Sequence, residues 1–111
     1  MDENNDVNSF FDIVIKSQKD KEIRNLIIYK KALYNSEIAS ENELLEILNP
    51  LLKSESVWKP HALLLMSDYF ANKNNLIKSK EFLEEIVNSK IIINNDIKIE
   101  AERRLKRDFS D

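Results

Sequence analysis

The chain has 111 residues, 42% of them hydrophobic and 33% charged, which suits a single soluble, helix-rich domain with one modest core. Its 17 basic and 20 acidic residues give a formal charge of −3, so no overall field draws it to nucleic acid. It contains neither cysteine nor glycine, which excludes disulfides, thiol chemistry, cysteine-held metals and glycine-rich phosphate loops but leaves the compartment open.

The acidic, polar start MDENND is the reverse of a targeting segment, and residues 1–7 are expected to be disordered. The longest apolar runs, such as ALLLM at 62–66, fall far short of the roughly 20 residues a membrane span needs. In chain order, a first helix is expected over about 8–17, with Phe10, Phe11, Val14 and Ile15 as its apolar stripe. SQKDK ends it, and Asp20 caps a second helix over about 21–34 with Ile23, Leu26, Ile27, Ala32 and Leu33 on the apolar face. After the turn YNSEIA, Ser40 and Glu43 form a capping box for a third helix, which buries Leu44, Leu45, Ile47, Leu48, Leu51 and Leu52. Pro50 inside that pattern predicts a kink or an end near Asn49.

A fourth helix opens around Trp58 to Pro60, where a proline costs no hydrogen bond. Being apolar nearly all round, through Ala62, Leu63, Leu65, Met66, Tyr69 and Phe70, it should be the most buried. The turn Asn72-Lys73-Asn74-Asn75 closes it, with asparagine supplying the left-handed conformation in a chain without glycine. The fifth helix, about 76–89, carries Leu76, Phe82, Leu83, Ile86 and Val87. In IIINND a lone strand would have nothing to pair with, so Asn95 or Asp96 is expected to cap a sixth helix over about 96–108, with Ile97, Ala101 and Leu105 in line. The expected core is Leu26, Leu33, Leu48, Leu63, Met66, Phe70, Leu83, Ile86 and Leu105.

Chemistry is sparse. His61 is the only histidine, with no carboxylates at ligand spacing around it. Glu41, Glu43 and Glu46, like Glu81, Glu84 and Glu85, fall on solvent faces among lysines. No serine stands in a nucleophile motif. No catalytic residue, metal ligand or cofactor is assigned. Trp58 is either an exposed anchor for a partner or, preferentially, a staple over Leu63 at the start of the fourth helix.

Internal repetition is the strongest feature. Leu26, Tyr29 and Leu33 overlay Leu63, Met66 and Phe70 at an offset of 37, and Ile47 and Leu48 overlay Phe82 and Leu83 at an offset of 35. On Leu63, Met66, Ser67, Phe70, Ser79, Leu83 and Ile86 the chain resembles the tetratricopeptide repeat family, with serine where that family favours glycine or alanine. The resemblance implies an all-α fold: about six helices in antiparallel hairpins, stacked as a short right-handed solenoid. One domain over 8–109 would hold hairpins at about 21–53 and 58–89 and a capping helix at 96–108. The stretch from SVWKPHALLL to RRLKRDF is similar to the C-terminal part of bacterial YfgM-type proteins, membrane-anchored ancillary subunits of the SecYEG translocon.

That resemblance implies a non-enzymatic scaffold for a protein or peptide, such as a translocon or chaperone. It would work at the periplasmic face of a bacterial inner membrane; a free cytoplasmic scaffold is the other reading. The unpaired first helix suits a piece of a longer array with an upstream anchor. In the family the groove lies on the first helix of each hairpin. Here that face is Arg24, Ile27, Lys31 and Tyr34, then His61, Leu64, Asp68 and Ala71. It is expected to bind a peptide or to pack against further repeats. Two alternatives come from other classes. Arg103, Arg104, Lys106 and Arg107 would serve a nucleic-acid binder. An apolar end near Phe10, Phe11 and Ile15 would serve a self-associating domain, as a weak dimer.

Overall fold

The computed structural model describes residues 3–90 and 95–109, and all its regular structure is helical. The segment 91–94, with most of the IIINND run, lies outside the described residues. The helices are α1 (Glu3–Ser17), α2 (Lys21–Asn35), α3 (Glu41–Leu52), α4 (Lys59–Asn72), α5 (Leu76–Val87) and α6 (Asn95–Phe109). The backbone divides into two compact units, Met1–Trp58 and Lys59–Asp111. In the first, α2 and α3 form a hairpin and α1 lies against α2. In the second, α4 and α5 form a hairpin, and α6 packs on α5 and also touches α4.

Local chemistry accounts for the boundaries. Asp20 accepts the N–H groups of Glu22 and Ile23 at the start of α2, and Ser40 and Glu43 complete the capping box of α3. Asn74 is left-handed, with φ 62°, and the N–H of Asn75 reaches back to the Phe70 carbonyl at 2.8 Å. The side chain of Asn75 then caps α5 by accepting from the Lys78 N–H. Asparagine thus closes one helix and opens the next.

Three expectations need correction. Residues 3–7 are helical, and Glu3 and Asp6 suit the positive end of α1. Helix α3 does not end near Asn49, one of the two outcomes expected there, but runs through Pro50 to Leu52. On α2 the buried stripe is Asn25, Ile28, Ala32 and Asn35. Ile23 and Leu33 are 47% and 45% exposed, and Leu26 is only half-buried.

The stripe on α2 also corrects the repeat. Asn25, Ile28, Ala32 and Asn35 precede Pro60, Leu63, Ser67 and Phe70 by 35 residues each, and all eight are buried. The same offset carries Leu44, Leu48 and Leu51 of α3 onto Ser79, Leu83 and Ile86 of α5, again all buried. It also carries the cap Ser40 onto the cap Asn75. One register of 35 residues therefore replaces the 37-residue offset for the first helices.

Small side chains mark the crossing of α4 and α5. The Ser67 hydroxyl donates to the Ser79 carbonyl at 3.0 Å and lies 2.9 Å from the Ser79 hydroxyl. Phe70 and Phe82 stack one turn away, with centroids 5.7 Å apart. As expected, α4 is the most buried helix: eight of its 14 residues are buried. Met66, Leu63 and Phe70 are buried with Leu83 and Ile86. Ile97 and Ala101 of α6 are also buried, while Leu105 is half-buried.

Within the first unit a carboxylate clamps the segment after α3. Glu22 accepts from the Asn25 amide at 2.9 Å, the Ser56 hydroxyl at 2.8 Å and the Val57 N–H at 2.9 Å. Asn25 also donates to Ser56 at 3.1 Å, and Trp58 lies stacked on Tyr29 at 5.9 Å. The Val57 N–H is the main cause that holds the Glu22 carboxyl below its ordinary value of 4.5, followed by the Asn25 amide.

Leu48→Ala and Leu83→Ala, equivalent core truncations, should each cost about 2–5 kcal/mol in denaturant unfolding, whereas Leu33→Ala should cost about 1 kcal/mol or less. Because folding lowers the Glu22 pKa, its stabilisation is complete above 4.5 and fades as pH falls through the folded value. Glu22→Gln should therefore lose about 1 kcal/mol at neutral pH. Urea midpoints followed down the pH scale should show wild type and variant converging.

Candidate functional site

Helix α1 is held on α2 by a ladder of polar contacts. The Tyr34 hydroxyl donates to Asn4 at 2.7 Å. Asn8 and Asn35 exchange reciprocal amide hydrogen bonds at 2.9 and 2.7 Å, and Asn35 also donates to the Lys31 carbonyl at 2.8 Å. Lys31 Nζ meets Asp12 Oδ1 at 2.8 Å. Phe11 lies against the Tyr34 ring, with centroids 6.1 Å apart. The residues of α1 in this ladder are one helical turn apart, so they share one face.

That seating leaves a groove of about 460 Å³ between α1 and α3, floored by α2. Ile28, Lys31 and Asn35 form the floor, with Ala39 beside them; Asn8, Asp12 and Ile15 make one wall, and Glu43, Glu46, Ile47 and Pro50 the other. Three carboxylates face one cation, and Asp12 already pairs with that cation. The groove thus mixes aliphatic lining from Ile15, Ile28, Ala39 and Ile47 with an excess of carboxylates. Proline at position 50 has no N–H to offer the Glu46 carbonyl.

The residues assigned to a peptide face from the sequence are placed as follows. Lys31 and Tyr34 turn to α1, and of the first four only Lys31 lines the groove. Arg24 donates to the Gln18 carbonyl at 3.3 Å, and Ile27 is half-buried. In the second unit Asp68 forms an ion pair with Arg104 of α6, while Leu64 and Ala71 are half-buried. Burial holds the His61 imidazole below its ordinary value of 6.5, so it is neutral at pH 7.

The basic stretch of α6 is largely matched by acids. Arg103 and Arg104 both pair with Glu100, Arg104 also pairs with Asp68, and Arg107 pairs with Asp108 at 2.8 Å. Such a helix offers little unmatched charge to a phosphate backbone. Among the described residues no helix is long and apolar enough to cross a membrane, and no group of three or more acidic, histidine or cysteine side chains is placed to hold a metal ion. Compared with family models, curated proteins and solved structures, the chain matches none.

Asn8 and Asn35 were missed as site residues because asparagine on a helix reads as solvent-facing. The available signal was their company: Asn35 continues the stripe Asn25, Ile28 and Ala32 at helical spacing. Asn35→Ala should cost about 1–3 kcal/mol, because it strips the half-buried Asn8 amide of its partner. Asn8→Ala on top of it should add little, and a double-mutant cycle measured by chemical denaturation would read that coupling.

Proposed function

We propose that this chain is a non-enzymatic protein–protein interaction module of the tetratricopeptide-like kind, with the groove between α1 and α3 as its binding surface. The observation that carries the reading is the groove itself: aliphatic lining from Ile15, Ile28, Ala39 and Ile47 beside the carboxylates of Asp12, Glu43 and Glu46. The common 35-residue register of burial and capping supports the repeat assignment. Such a groove suits a helix or extended segment that offers aliphatic side chains to that lining and lysine or arginine to the carboxylates. Hydrophobic burial would supply most of the affinity; the carboxylates would select the sign of the ligand and speed its arrival.

The resemblance to YfgM-type proteins extends the proposal to context. On that reading the module works at the outer face of a bacterial inner membrane, presented to a translocon, a chaperone or an emerging polypeptide. Fractionation of the native protein decides between membrane-associated and free cytoplasmic pools.

The binding claim is tested with a fluorescent amphipathic peptide of leucine and lysine, alongside a control with glutamate in place of lysine. The basic peptide should bind more tightly than the acidic one, and Glu46→Lys should weaken it about tenfold, the equivalent of 1.4 kcal/mol. Equal affinity for wild type and Glu46→Lys would remove the groove from consideration.

A further inference from the structure

The ladder that seats α1 on α2 determines which side of α1 faces away. Val7, Phe11, Val14 and Ile15 are half-buried on the inner side, whereas Phe10 and Ile13 are each 66% exposed. This corrects the apolar end expected from the sequence, where Phe11 and Ile15 stood with Phe10. The outward stripe runs Asp6, Ser9, Ile13 and Lys16, with Phe10 beside it, all exposed. Its spacing of three, four and three residues places the stripe on one narrow face.

The repeat register identifies that face. Ser9, Ile13 and Lys16 lie 35 residues before Leu44, Leu48 and Leu51 of α3, all buried in their hairpin. The face that α3 and α5 bury against their preceding helices is therefore the one α1 leaves open.

We propose that this face is the interface of a two-fold symmetric dimer, in which α1 of one copy packs antiparallel on α1 of a second copy. The stripe is self-complementary in that arrangement. With the two-fold axis near Phe11, Asp6 of each copy meets Lys16 of the other, and Ser9 meets Ile13. Unlike charges pair at both ends, and a small side chain faces a large one between them. An isologous interface requires that kind of pattern, since every contact must occur twice. A parallel pairing would set Asp6 on Asp6 and Lys16 on Lys16. The groove is walled by Asn8, Asp12 and Ile15 of α1, none of which belongs to the stripe, so the dimer does not rest on the proposed peptide site.

The interface is small. A helix of 15 residues is about 22 Å long, and one such pair buries less than the roughly 1,200–2,000 Å² of a standard interface. A dissociation constant on the order of tens of micromolar is expected.

Sedimentation velocity of the full chain from about 1 to 500 µM brackets that value. The wild type should move from monomer to dimer and stop there. Asp6→Lys and Lys16→Asp should each weaken self-association at least tenfold, whereas an equimolar mixture of the two should dimerise at least as well as wild type. The mixture is decisive because Asp6→Lys also places a cation in the first turn of α1, and fraying alone would not be repaired by mixing. Ile13→Asp should abolish the dimer with the helical circular dichroism unchanged. A wild type that stays monomeric throughout, a mass that grows beyond the dimer, or a mixture no tighter than its components would each overturn the proposal.

Discussion

The seam between α1 and α2 governs what the first unit presents to its surroundings. Asn4, Asn8 and Asp12 project from α1 one turn apart, and Tyr34, Asn35 and Lys31 of α2 meet them. Apolar packing alone would leave α1 free to roll about its axis, because hydrophobic attraction has little directional preference. Hydrogen bonds do not allow that freedom. Rolling α1 by a third of a turn would cost the buried Asn35 amide both of its bonds to Asn8, at about 1–3 kcal/mol, and would carry Asp12 away from Lys31. The amide pair dominates, since Asp12 is 63% exposed and exposed ion pairs contribute about 1 kcal/mol or less. The seam thereby decides that Asp12 and Ile15 wall the groove while Phe10 and Ile13 face outward.

The absence of glycine imposes a second constraint, met by asparagine at turns and by serine and alanine where helices cross. Asn74 occupies the left-handed position of the α4–α5 turn, which a β-branched residue would reach only with strain. Ala32 and Ser67 occupy the same place in their hairpins, 35 residues apart and both buried. A hydroxyl at such a crossing must be satisfied. Ser67 achieves this through Ser79, so the contact adds direction to close approach. Ser56 follows the same logic in the first unit, donating to Glu22 and accepting from Asn25 and the Trp58 N–H.

Much of this architecture was legible in the sequence where a single side chain has one dominant role. The capping box at Ser40 and Glu43, the asparagine turn and the all-round apolar α4 each follow from local chemistry. The face of α2 was not legible by counting apolar residues, because two of its four buried positions are asparagines that find partners only in the folded state. Ile23 and Leu33 drew attention to the wrong side for the same reason. Helix α1 carries apolar residues on two faces, and a hydrophobic stripe alone cannot say which one meets α2. The Asn8–Asn35 match resolves it, but that pairing spans 27 residues and has no local signature. The groove inherits this difficulty, since its walls come from helices separated by the whole length of α2. Of the two outcomes expected at Pro50, the end near Asn49 does not occur: the proline withholds one N–H from the Glu46 carbonyl, and α3 continues to Leu52.

Amide hydrogen exchange on α1 tests the seam most directly, because the groove wall and the outward face both require α1 to be seated in one register. The amides of Phe11 through Ile15 should exchange slowly, with protection close to that of α2, and Asn35→Ala should selectively remove that protection. Protection confined to α2 and α3 in the wild type, with α1 exchanging as an open helix, would contradict a seated α1.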